Sequence, residues 1–313
     1  MTSKNNIGLA ISAKDSTEAV RKIIQAEELG VPSAWLTTGG ARMDGLTLLS
    51  AAAIKTRSIL LGTSIIPIWP RHPIAVAQQA QVLAQISPGR FRLGIGPSHK
   101  DGMIQTFGAD FKAPLGHMRE YIRILKSLLQ HGEVDMDGKY YVAHAKIDEP
   151  LDVPIMASAL RRRSFELCGG EADGAISWIC PGTYLRDVAI PAIHRGAERA
   201  NRQVPPLIAH TRVAIHSDAD QVRRSVRDHM SFYVRFPFYM QMFLDAGFPE
   251  AQSGEWSDSM IDAVAIYGSE TEVVSKLRTL LCYSATELIV SPILIGPDLE
   301  ASWVKTATAI GKM

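Results

Sequence analysis

The sequence predicts a (β/α)8 barrel, and three observations carry that expectation. Short apolar segments alternate with amphipathic segments along most of the 313 residues. Eight of the short segments read as strands, which is the barrel's number. Several of them, such as "ILLGTSIIPI", are apolar on both faces, as parallel strands covered by helices on each side must be. A doubly wound sheet is the alternative; it would normally use fewer strands and show one strong switch point.

The elements follow in order. "IGLAI" (Ile7–Ile11) is the first strand, and "STEAVRKIIQAEELG" the first helix, with Ser16 as N-cap and Gly30 as stop. Its residues Ala19, Val20, Ile23, Ile24 and Ala26 recur at helical spacing. Ser33–Thr37 is the second strand and "GLTLLSAAAIKT" its helix. Ile59–Ile68 is the third strand, followed by "IAVAQQAQVLAQIS", which closes at Pro88-Gly89. "RFRLGIG" is the fourth strand. The rhythm then breaks, and residues 100–150 read as an insertion into a single barrel domain spanning 1–313. Within it, "PLGHMREYIRILKSLLQHG" is a helix, and Asp137-Gly138 marks a hairpin. The repeat resumes with strands at Val153–Ala159, Ala175–Ile179, "PLIAHTRVAIH" and Glu287–Ile293. A long helical stretch, residues 219–248, precedes the last capped helix. Its aromatic and Met-rich part, "SFYVRFPFYMQMFLDAGF", reads as core or subunit interface, or as a roof over a pocket.

Composition narrows the function classes. Lys plus Arg number 33 and Asp plus Glu 32, so no net field favours nucleic acid or an anionic membrane. The three cysteines, Cys168, Cys180 and Cys282, form no Cys-x-x-Cys pair, which fits a reducing cytoplasm better than a disulfide framework or a metal site. The N-terminus carries no leader pattern, and no apolar run approaches a membrane span.

In such a barrel, chemistry sits where the strands end. Those ends hold Ser12-Ala13, Thr37-Thr38-Gly39, Ser64 to Pro67, Gly96-Pro97-Ser98-His99, Ala157-Ser158-Ala159, Ser177-Trp178 and Ser291-Pro292. The end of the seventh strand is ambiguous. The rim contains no nucleophile elbow, no His-Glu-x-x-His and no carboxylate pair of glycosidase type. Small and hydroxylated residues suit a pocket for a planar ring, with a cofactor as the source of reactivity.

"LLGTSIIPIWPRHPIAVAQQAQVLAQISPGRFRLGIGPSH" resembles the signature of the luciferase-like flavin and deazaflavin oxidoreductases, in the branch that uses coenzyme F420. The match is dense over residues 59–99, and "GSETEVVSKLRTLLCYSATELIVSPI" echoes the family's C-terminal pattern. The resemblance implies that Gly96, Pro97, Ser98 and His99 contact the cofactor. It places a non-prolyl cis peptide at Ser64-Ile65, or at Thr63-Ser64, in a bulge that backs the ring. It puts the cofactor phosphate near Ala157, Ser158 and Ala159, with amides of Ala159 and Leu160 and the Arg161 side chain as donors. Gly174, Ala175 and Ile176 continue that pocket. Three arginines at 161–163 stand where the family usually has a Gly-Pro turn; they read either as a solvated helix start or as an anion site. Thr37-Thr38 replaces the Asp-His of related sugar-phosphate dehydrogenases, so that reaction is not expected.

His99 is the candidate proton-handling residue. Asp44 reads as a helix N-cap or as a recurring acid of this branch. Trp69, Arg71 and His72 read as fixtures of the "WPRHP" turn. The implied activity is hydride transfer between F420 and an organic small molecule, on a homodimer. An FMN-dependent monooxygenase is the alternative, and a non-catalytic flavin-binding relative is the second alternative.

Overall fold

The computed structural model describes residues 6–313. The reading of the extreme N-terminus as free of a leader pattern falls in part on residues 1–5, outside the described residues. Eight parallel strands close into a barrel: β1 (Ile7–Ala10), β2 (Ser33–Leu36), β3 (Leu60–Thr63), β4 (Phe91–Gly96), β5 (Ile155–Ser158), β6 (Gly174–Trp178), β7 (Leu207–Ala214) and β8 (Glu287–Pro292). Closure comes from β8 pairing with β1, Ile7 opposite Leu288, and from β6 pairing with β7, Leu207 opposite Ala175.

Two apolar layers hold the barrel. Between strands and outer helices lies the main core, which includes Leu9, Leu61, Leu93, Ile155 and Val290. Inside the cylinder, Trp35 packs with Met156, Ile176, Ile208 and Ile289. The Trp35 indole donates to Ser33 Oγ at 2.9 Å. A Cβ at Gly62 would meet the Trp35 ring at 2.3 Å, so only glycine leaves room for this plug. The barrel therefore has a packed interior, with its larger open space above it.

Several expectations need correction. The first helix, Ser16–Glu28, is capped by Asp15, whose side chain accepts from the Glu18 amide at 2.8 Å; Ser16 is already helical. The third strand is broken in two. Gly62 faces Arg92 and Ile66 faces Ile95, so one extra residue bulges out of β3 before the short segment Ile66–Pro67. The helix Pro114–His131 belongs to the outer ring, between the helices Pro73–Ile86 and Arg162–Glu171. The departures from the repeat after β4 are thus the helix Lys100–Phe107 and the hairpin Glu133–Asp137 with Val142–Lys146. The hairpin connection is four residues, not a tight Asp-Gly pair. The stretch after β7 breaks into Ala219–Met230, a 3-10 turn and Pro237–Asp245. A short strand, Ala265–Tyr267, pairs with β7 outside the barrel and carries too few residues to show a period.

Candidate functional site

Above the Trp35 layer, the strand ends surround a cavity of about 2350 Å³. Its wall takes Thr37 and Thr38 after β2, Ser64 and Ile65 from the bulge, Pro97 to His99 after β4, and Ser158 to Arg161 after β5. Trp178, His210, Arg212 and Ser291 come from β6, β7 and β8. The segment Phe232–Tyr239 roofs it, while Val234, Met242 and Phe243 of the same stretch are buried in the core, so both of these roles are observed.

The bulge is fastened by main-chain and hydroxyl contacts. Ser64 N donates to Leu36 O at 2.8 Å, Thr38 N to Ile65 O at 3.1 Å, and Thr37 Oγ1 to Ser64 O at 2.7 Å. The Ser64-Ile65 peptide is cis. Thr63 faces away from the cavity: its buried hydroxyl donates to Gly94 O and accepts from Gly94 N, both at 2.8 Å. A Cβ at Gly94 would sit 1.9 Å from Thr63 O, and one at Gly96 2.2 Å from Ser158 Oγ and 3.0 Å from Ile65. The Gly-Ile-Gly sequence thus makes room for the bulge and for β5. Gly96 itself lies outside the cavity wall, so its expected role as a direct contact is corrected to one of spacing.

The anion end also differs in detail. The Ala159 amide already donates to Ile176 O at 2.9 Å, and those of Leu160 and Arg161 to Ser164 Oγ at 3.1 Å each. The amides assigned to the phosphate are therefore taken, while the side chains of Arg161, Arg162 and Arg163 all line the cavity mouth. Arg161 is paired with Asp245 at 3.1 Å. Ser158 and Ile176 lie on the wall as expected. Ala157 and Ala175 are buried within their strands, and Gly174 begins β6 at the opposite end of the barrel, against Met156 and Pro206. These three are not brought to the site.

His99 lies on the wall with its ring stacked on Phe236, centroids 4.7 Å apart, and edge-on to Tyr233. Burial lowers its pKa, so the imidazole is neutral near pH 7. Four neighbours are structural. Asp44 caps the helix Gly45–Lys55 and accepts from Arg71; burial would raise its carboxyl pKa, but the bonds from Thr47 and Arg71 outweigh that and hold it low. Arg71 is thereby a clamp. His72 caps the helix Pro73–Ile86, and Trp69 Nε1 donates to Pro97 O at 2.8 Å.

The side chains that the sequence reading missed are on β7. His210 and Arg212 both point into the cavity from one face of the strand. In "PLIAHTRVAIH" they stand two apart in an otherwise apolar run, which is the signal for a shared face. His210 packs edge-on to Trp178 at 4.3 Å. Among the described residues, the buried Ser64 Oγ, Trp178 Nε1, His210 Nε2 and Arg212 Nε have no hydrogen-bond partner. Burial, and then the Arg212 charge, push the His210 pKa down to about 3.

A closed parallel barrel whose large rim cavity holds orphaned polar groups defines a ligand-binding α/β-barrel of enzymatic type. The chain belongs to the luciferase-like monooxygenase family, whose model matches residues 2–285. It is 28% identical over 310 residues to the 5,10-methylenetetrahydromethanopterin reductase of Methanolobus tindarius, covering 92% of each chain. It is 33% identical over 196 residues to the F420-dependent glucose-6-phosphate dehydrogenase of Beutenbergia cavernae, covering 60% of this chain and 58% of that one. In fold it resembles an F420-dependent secondary alcohol dehydrogenase solved with an F420-acetone adduct, with TM-score 0.81, 18% identity, and coverage of 98% and 99%.

Proposed function

We propose that the chain is an oxidoreductase that uses coenzyme F420 to transfer a hydride to or from an organic small molecule. One observation carries this: a rim cavity of about 2350 Å³ with the Ser64-Ile65 bulge forming part of its wall. That volume accommodates a tricyclic ring with a second small molecule beside it. The residues fit such a group. The bulge gives a backbone wall, the orphaned Ser64 hydroxyl offers a hydrogen bond, and three arginines at the mouth suit an anionic tail. The names of related proteins support F420 over FMN.

When bound, a deazaflavin supplies two-electron hydride chemistry. The chain supplies place and dryness. Thr37 and Thr38 fix the bulge. Arg161 to Arg163 hold the charged end, and the aromatic roof over His99 excludes water. His99, neutral in this setting, takes one proton from a substrate hydroxyl as the hydride leaves its carbon, and the imidazolium so formed returns that proton in the reverse direction. Support for a homodimer comes from Ile54, Val82 and Ile86, which stand exposed on two packed neighbouring helices. Residence in the cytoplasm accords with three free thiols.

The test is turnover. Reduced and oxidised F420 are followed by absorbance against panels of ketones, alcohols and enoyl compounds. Turnover with one class supports the reading, as does its loss in His99→Gln with F420 binding kept. Turnover with FMN and dioxygen alone contradicts it.

A further inference from the structure

The floor of the cavity holds an unmet positive charge. Arg212 extends from β7 and, among the described residues, donates from Nη1 to Ser291 Oγ at 3.2 Å, while its Nε meets no acceptor. Ser291 and Arg212 are cross-strand neighbours, as are Trp178 and His210. No carboxylate among the described residues pairs with this guanidinium. Of the three acids on the cavity wall, Glu18 is engaged with Lys22 and the Lys14 amide and Asp245 with Arg161, while Asp101 is exposed in the first turn of the helix Lys100–Phe107 and forms no ion pair with Arg212. His210 is 6% exposed, and Nε2 faces no acceptor or donor. Because His210 is held neutral, it neither adds to nor cancels the charge.

Arg212 is half-buried with its Nε screened from solvent; a guanidinium stays charged there, and even partial desolvation without an anion carries a cost. Proteins keep such an arrangement where a ligand completes it. One cation, one hydroxyl, an indole N–H and an imidazole nitrogen gather on three adjacent strands. That set matches a planar monoanion better than a phosphate dianion, since a carboxylate takes the guanidinium fork and leaves an edge for the indole or hydroxyl.

We propose that the substrate carries a carboxylate, which docks on Arg212 and Ser291 at the floor of the cavity, flanked by Trp178 and His210. This rests on the hydride-transfer reading above and narrows its substrate to organic acids. Arg212 acts as a specificity residue. The reacting carbon then lies above the floor, on the side of the cavity that the bulge and His99 enclose.

The experiment uses the full chain, with and without F420, and two isosteric probes, crotonate and crotonamide, which differ in charge. Binding is read from tryptophan fluorescence, with Trp178→Phe identifying the reporter. The unmodified chain should bind crotonate about tenfold or more tightly than crotonamide. Arg212→Met should abolish the preference, Arg212→Lys should keep part of it, and Arg42→Ser, at another cation on the cavity wall, should leave it intact. The Arg212→Met chain should melt no lower than the unmodified one, because it removes an unpaired, half-buried charge. Equal binding of the two probes, or a preference that survives Arg212→Met, overturns the proposal. So does an F420 affinity that falls about tenfold in Arg212→Met, which would assign the guanidinium to the cofactor. If F420 fails to bind the unmodified chain while the crotonate preference stands, the functional reading falls and the anion site remains.

Discussion

The two ends of the barrel treat the same kind of residue in opposite ways. At the N-terminal end, Arg92 of β4 donates to both oxygens of Glu287 at 2.8 and 2.6 Å. Beside it, Asp173 accepts from Lys126 at 2.6 Å, from Gln130 at 2.7 Å and from the Ile155 amide at 2.9 Å. There, charge is matched by charge within the chain. At the C-terminal end, Arg212 has, among the described residues, only a serine hydroxyl, and Trp178 and His210 have orphaned nitrogens. Buried polar groups in a folded protein are normally satisfied, so the exceptions need a reason. The lower end is finished as a structure; the upper end leaves polar groups open to a ligand.

The largest expected effect breaks the upper end alone. Gly94→Ala forces a methyl to within 1.9 Å of Thr63 O, and that atom belongs to backbone. The bulge must shift, at a cost of about 3 kcal/mol in urea unfolding, with cofactor affinity lost as well. Gly96→Ala should cost less, because Ser158 Oγ can rotate away.

The second effect tests the lower end. Arg92→Met strands the Glu287 carboxylate, whose side chain is 20% exposed. Partial solvation reduces the penalty below that of a fully buried pair, to about 2 kcal/mol. Arg212→Met lacks such a stranded partner and should destabilise the free chain not at all. A matching loss in the two variants would erase the contrast between the ends.

The smallest effect depends on pH. His210 is neutral in the fold down to about pH 3, whereas in the unfolded chain it titrates near its ordinary value. Its contribution is therefore fully present above that ordinary pKa and is lost as pH falls towards 3. At pH 5.5 the unmodified chain should have lost about 1.4 kcal/mol more than His210→Asn, measured by denaturant unfolding at each pH. Parallel curves for the two chains would show that the imidazole is not held neutral.

Much of this architecture is legible in the residues. The eight strands and their order follow from apolar runs such as "ILLGTSIIPI" and from caps such as Ser269 with Glu272. The bulge at Ser64-Ile65 comes only from resemblance, because nothing in the local pattern distinguishes it from continuous strand. The role of Gly94 and Gly96 is a matter of space between strands, and a one-dimensional pattern records no such distance. Gly174 was misplaced for a related reason: its motif matches the family, but its position is the wrong end of β6. His210 and Arg212 were readable as polar residues on one face of β7, yet an ambiguous strand end hid which face that was.

The central claim is that the rim cavity accepts a deazaflavin. Its most direct test is a fluorescence titration of the purified chain with F420 and, separately, with FMN. The account predicts saturable F420 binding at one molecule per chain, with FMN about tenfold weaker or worse. Tight FMN binding with no F420 binding, or no binding of either, would contradict it.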